Sequence, residues 1–202
     1  MTDTRRRNLA ALIVSILVSS LGGCSTTQVD IGYRSSDLVV PVADEAATFK
    51  VGQFVDRRGE APDWLGEVRG KYYFPKETLK ADRPISWIVR DMIEKGAKDR
   101  GMLGETNVST PYELYGHVEK LDGSVSDSTN AHAHLMVRLF NRDGSDDIFS
   151  ASHHIDIIDP KIYGSAIDLG SFLEEALNQA VVEMLDDPDF RHALQRSDAD
   201  GL

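Results

Sequence analysis

Four side chains in the second half of the chain have the types and spacing for metal or acid–base chemistry. His132 and His134 alternate along a segment whose other positions, Ala133 and Leu135, are apolar. His154 and Asp156 alternate in the same way around Ile155. Matching the two apolar faces, with a three-residue turn at Asp143–Ser145, sets His134 opposite His154 and His132 opposite Asp156. Three imidazoles and a carboxylate on one face could bind a transition metal. A polar, solvated sheet face that happens to be rich in histidine would look the same. Asp56-Arg57-Arg58 is a second cluster, at the end of a predicted strand. There an acid next to arginines serves a turn or an ion pair more readily than catalysis. Serines and carboxylates abound, but none stands in a nucleophile elbow or a phosphate-binding loop.

The only cysteine of the 202 residues, Cys24, stands at a processing site. Arg5-Arg6-Arg7 precede a stretch from Leu9 to Leu21 that is apolar apart from three serines, and Leu21-Gly22-Gly23 leads into Cys24. This is a basic n-region, a short h-region and a small-residue cleavage site. At 1.5 Å per residue the stretch spans about 20 Å, short of a bilayer core of roughly 30 Å. Leu21-Gly22-Gly23-Cys24 resembles the bacterial lipobox. The resemblance implies cleavage before Cys24, a diacylglycerol thioether on its sulfur and an acyl chain on the new amino terminus. Two or three chains would hold a protein on a membrane where one binds only marginally. No other cofactor is expected.

Removing residues 1–23 takes away three arginines and one aspartate, so the net charge moves from −11 to −13. Phosphate backbones and anionic headgroups repel such a body, which excludes nucleic acid as a partner and leaves membrane attachment to the lipid. With Cys24 acylated no thiol remains, so neither a disulfide nor a thiolate site is available. The remaining chain is of single-domain size, large enough to be held by its core.

The elements that must position these residues follow from periodicity. Residues 24–28 read as a lipidated tether, 29–196 as one α/β periplasmic domain and 197–202 as a disordered tail. Val29, Ile31 and Tyr33 alternate as a strand. Leu38 to Val42 is extended, with Pro41 at an edge. Thr48 to Val55 is a strand apolar on both faces. Residues 59–81 lack a clear period and hold Trp64, Tyr72, Tyr73 and Phe74. That segment reads as a loop with a short strand at Lys71–Phe74. Its rings either bind a partner or cover an edge of the core.

Asp82-Arg83-Pro84 opens a helix with Ile85, Ile88, Val89, Met92 and Ile93 on one side, closed by Gly101. Tyr112–Leu121, Ala131–Phe140 and Ile148–Ile158 are strands, with a loop over Asp122–Asn130. Ser171 and Glu174 form a capping box ahead of the stripe Leu173, Ala176, Leu177, Ala180, Val181, Met184 and Leu185. Asp187-Pro188 starts a short last helix. The sum is α+β: a two-layer α/β sandwich with a mainly antiparallel sheet and two main helices on one face.

The order of lipobox, strand with Tyr33, Val51-Gly52-Gln53-Phe54-Val55-Asp56-Arg57-Arg58, a Leu65-Gly66 loop, Trp87 at a helix start and a closing helix ending in Asp187-Pro188 resembles the YajG-like family of envelope lipoproteins. Phe54-x-Asp56-x-Arg58 is the sharpest of these motifs. The layout is also similar to the amino-terminal domain of TolB and to auxiliary lipoproteins of lipid-transport ABC systems. The resemblance implies no reaction and no cofactor. It implies an outer-membrane anchor on the periplasmic face, and Ser25 after the lipid site fits export past the inner membrane. The expectation is a non-enzymatic binding or assembly subunit with an envelope protein partner. The alternative is a metal or small-ligand binder using the hairpin histidines.

Overall fold

The computed structural model describes residues 25–35, 48–68, 77–104, 110–142, 146–160 and 165–196. Seven strands form one mixed sheet: β1 (Ser25–Val29), β2 (Phe49–Asp56), β3 (Trp64–Val68), β4 (Glu77–Ala81), β5 (Tyr112–Val125), β6 (Thr129–Asn141) and β7 (Asp147–Asp159). The helices are α1 (Ile85–Asp99), α2 (Ala166–Asp186) and α3 (Pro188–Arg196). The sandwich expected from the sequence is observed, with a more mixed sheet. The long ladders β5–β6 and β6–β7 are antiparallel, as is β3–β4, while β1–β4, β2–β5 and β3–β5 are parallel. One edge of β5 carries β6 along its length. The other edge is divided between β2, on its first half, and β3, on its last three residues.

Alternation along β5–β7 separates two faces. Leu114, Val118, Leu121, Ala131, Ala133, Leu135, Val137 and Leu139 are buried under the helices. Both helical stripes complete that core: Ile85, Ile88, Val89, Met92 and Ile93 from α1, and Leu173, Ala176, Leu177, Ala180, Val181, Met184 and Leu185 from α2. The two helices touch where Gly96 of α1 faces Leu185 and Tyr33, a contact too close for a side chain at position 96.

Several boundaries differ from the sequence reading, each for a physical reason. The first strand is Ser25–Val29, not Val29–Tyr33, so the residues read as a tether are already paired in the sheet. Polar Ser25-Thr26-Thr27-Gln28 can occupy this site because β1 is an edge strand held by main-chain bonds to β4. Ile31 and Tyr33 pack on the core beyond the strand instead. That stretch docks on α2: Asn178 accepts from Arg34 N at 2.8 Å and donates to Gly32 O at 3.0 Å.

The supposed loop 59–81 contains β3 and β4. The sequence hid β3 because Leu65 and Gly66 are neighbours and both are buried. Gly66 has φ +154 and lies against the Gly123 carbonyl, where no Cβ fits. The supposed loop 122–130 is mostly strand. Gly123 there leaves room for Leu169, and only Ser126–Ser128 turn. The long helix starts at Ala166, capped by Ser165, whose hydroxyl accepts from Asp168 N at 3.2 Å and donates to Asp168 at 2.6 Å. Ser171 lies inside that helix and bonds back to Ile167 O, while Glu174 receives Gly32 N at 3.2 Å. Leu38–Val42, Lys71–Phe74 and the tail 197–202 lie outside the described residues.

Candidate functional site

The outward face of β5–β7 has no layer over it among the described residues. The hairpin pairs as the sequence suggested. His132 opposes Asp156 and His134 opposes His154, each in antiparallel register. His132 Nδ1 lies 2.5 Å from Asp156 Oδ1. The His134 and His154 rings stack with centroids 3.3 Å apart and 30° between planes. Glu119 approaches His134 Nδ1 at 3.6 Å, brought there by the irregularity between Val118 and Lys120. The four side chains thus form two cross-strand pairs in a flat ladder. Among the described residues no three His, Cys, Asp or Glu side chains are disposed to hold one metal ion.

Two members of this face, His117 and Tyr115, were not among the candidate residues, although alternation along Tyr112–Leu121 sets them opposite Leu114, Gly116 and Val118. His117, on β5, presents outward beside Met136, and its Nδ1 is buried without a hydrogen-bond partner, as is Nε2 of His134. Tyr115 and Phe140 meet edge to face at 5.9 Å, Arg138 lies over the Phe140 ring at 5.0 Å, and Val55 extends the apolar part on β2. The face therefore combines aromatic rings, a methionine and imidazoles.

Protonation of this face and of the core beneath it is coupled to folding. Burial, and then the neighbouring His154, push the His134 imidazole below its ordinary value of 6.5; Glu119 and Asp156 oppose this, while Lys120 adds to it. His153 points into the core, where burial lowers it against the opposing pull of Asp187 and Glu183. Both groups bind protons more readily in the unfolded chain. Their full contribution is present above the unfolded value near 6.5 and is lost as pH falls through it toward the lower folded values. We expect the melting temperature to fall between pH 7.5 and 5.5, and the slope to flatten in the double variant His134→Gln, His153→Leu. An unchanged slope would refute the assignment.

The Asp56-Arg58 pair is structural. The Arg58 side chain is almost fully buried. It donates to both Asp56 oxygens at 2.9 and 2.7 Å, and to the carbonyls of Trp64 at 2.6 Å and Leu121 at 2.9 Å. One guanidinium thus ties the end of β2 to β3 and β5. Burial alone would raise the Asp56 carboxyl, but the hydrogen bonds and charge of Arg58 outweigh it and hold the group below its ordinary range.

Trp64 is half-buried at the start of β3 and lines a shallow cavity of about 290 Å³ with Glu67, Gly123, Ser124 and Ser126. Tyr72, Tyr73 and Phe74, proposed with it as a contact surface, lie outside the described residues, as does Cys24. Trp87, on the outer side of α1, is 65% exposed.

No protein-family model and no curated protein matches the sequence. Among solved structures the fold is similar to protein XCC0632 from Xanthomonas campestris (family model DUF330). That alignment has 15% identity and a TM-score of 0.60, over 82% of this chain and 96% of the other. An uncharacterised protein aligns at 8% identity and a TM-score of 0.53, over 79% of this chain and 95% of its own. Lipoprotein GNA1162 from Neisseria meningitidis aligns over 66% of this chain and 96% of its own at 15% identity. Its TM-score of 0.29 is too low to argue from. The first two likenesses establish a shared fold and nothing further.

Proposed function

We propose that this chain is an envelope lipoprotein, acylated on Cys24 and retained on the periplasmic face of the outer membrane, where its domain serves as a non-enzymatic binding or assembly subunit. The observation that carries this is the position of Cys24. The only thiol of the chain follows a basic and then apolar segment and the small residues Gly22-Gly23, and the folded sheet starts at the next residue, Ser25. Nothing else in the sequence accounts for a cysteine there. The face with Tyr115, Phe140, Met136 and His117, which has no layer over it among the described residues, supports a binding role.

Cys24→Ala is expected to release the protein from the membrane. The domain is acidic and has no attraction of its own for anionic lipid, so without acyl chains it should leave the envelope pellet. Fractionation of cells making the variant tests this. A variant that stays in the pellet after a salt wash overturns the anchor.

A further inference from the structure

The sheet shows how an anchored domain would sit on its membrane. Residue pairing can be followed across it in one row: Ser25 opposes Glu77, Glu77 opposes Val68, Val68 opposes Val125, Val125 opposes Thr129, and Thr129 opposes Asp159. Six residues from six strands therefore mark one end of the sheet. The row begins at Ser25, directly after Cys24. Consecutive Cα atoms are about 3.8 Å apart, so an acylated Cys24 has no spacer between its lipid and the sheet.

Among the described residues, two large aliphatic side chains are exposed at this end. Ile158 precedes Asp159 on β7 and is 66% exposed, and Ile167, in the first turn of α2, is exposed to the same degree. The start of α2 is held near it by Leu169 against Gly123, two residues before Val125. Phe49, Tyr112 and Asn141 mark the opposite end, remote from the anchor. Isolated exposed aliphatics are ordinary on a protein surface. Here they stand at the end of the domain that the anchor pins to the lipid.

We propose that this end of the domain rests on the bilayer, with Ile158 and Ile167 in the interfacial region and the sheet raised away from the membrane, so that the histidine-bearing face stands across the membrane plane. The occupant of the two isoleucines is lipid. The inference rests on acylation of Cys24. Glu77, Asp127, Asp159 and Asp168 lie near this end, so contact is shallow and is made by the aliphatics, not by charge.

The test uses the full-length protein purified from membranes. Because acylation consumes the Cys24 thiol, Ile158→Cys, Ile167→Cys and Lys50→Cys each introduce a unique thiol for an environment-sensitive fluorophore. The labelled proteins are reconstituted in vesicles of phosphatidylethanolamine and phosphatidylglycerol, with and without a lipid carrying a quencher near the headgroup. The expected result is a blue shift and lipid-dependent quenching at 158 and 167, and neither at 50, which lies at the far end on β2. Protein that fails to float with the vesicles would overturn the acylation reading and this inference together. Flotation without quenching at 158 and 167 would leave the anchor standing and overturn the lipid contact. A blue shift without lipid quenching would mean a protein occupant, and equal quenching at all three sites would mean no fixed orientation; either overturns the inference.

Discussion

Arg100→Ala is expected to cost about 3 kcal/mol of stability, the lower end of the range for removing one partner of a buried ion pair. The Arg100 side chain is inaccessible to solvent. Its Nε and Nη2 donate to the two oxygens of Asp186, both at 2.9 Å, and Nη1 donates to Gly96 O at 3.1 Å and to the Tyr33 hydroxyl at 3.2 Å. These bonds join the C-terminal ends of α1 and α2 to the extended segment after β1. The hydrogen bond from Arg100 is the leading reason that the Asp186 carboxyl lies below its ordinary value, and the same bond raises Arg100. The loss stays at the low end because Arg191 also pairs with Asp186 and would keep its charge compensated. Arg100→Lys should recover little, since an ammonium cannot reproduce the two-pronged geometry. Urea unfolding checks both variants. A loss below about 1 kcal/mol for Arg100→Ala would place this network among ordinary surface pairs.

Leu177→Asp should leave no cooperative unfolding transition. Leu177 is fully buried in the middle of the α2 stripe, between Leu173 and Val181, where that helix covers the sheet. A carboxylate there has no partner, and the penalty exceeds 4 kcal/mol, a large part of a typical domain's stability. Glu175→Ala, two residues away on the exposed side, should change stability by a few tenths of a kcal/mol, because Glu175 is exposed and accepts a bond from the exposed Gln179. Thermal melting of the pair is the check. Similar effects for both would mean that the buried face of α2 has been misassigned.

The elements legible in the sequence were those whose burial is periodic. The α1 stripe and most of the α2 stripe could be read directly, and Gly101, at φ +72, ends α1 as expected. The β6–β7 register followed from alternation plus a short turn, because a slip of one residue would have put Ala133 and Leu135 in solvent and the histidines in the core. The elements that escaped lack such a signal. β1 is polar and gains its place from main-chain pairing. β3 is five residues long, and its Gly66 is dictated by the close approach of β5. Asn178 carries no apolar signal either, yet it is buried because it pairs with Gly32 and Arg34, residues more than 140 positions away.

The candidate site was legible in the same uneven way. His132, His134, His154 and Asp156 were found because they alternate on a readable hairpin. What alternation could not show was stacking. The 3.3 Å approach of His134 and His154 turns a possible shell of ligands into paired rings. The ion pair at Asp56 was legible, but the carbonyl acceptors of Arg58 at Trp64 and Leu121 were not, since they come from segments that read as loop or strand end.

The central claim is that the mature chain begins at an acylated Cys24, one residue before the sheet. The mass of the amino-terminal peptide, taken from protein purified from the cell envelope, tests it most directly. The account predicts a peptide that starts at Cys24 and carries a diacylglycerol thioether and an amide-linked acyl chain. A peptide that starts at Met1, or one that starts at Cys24 with a free thiol and a free amine, would contradict it.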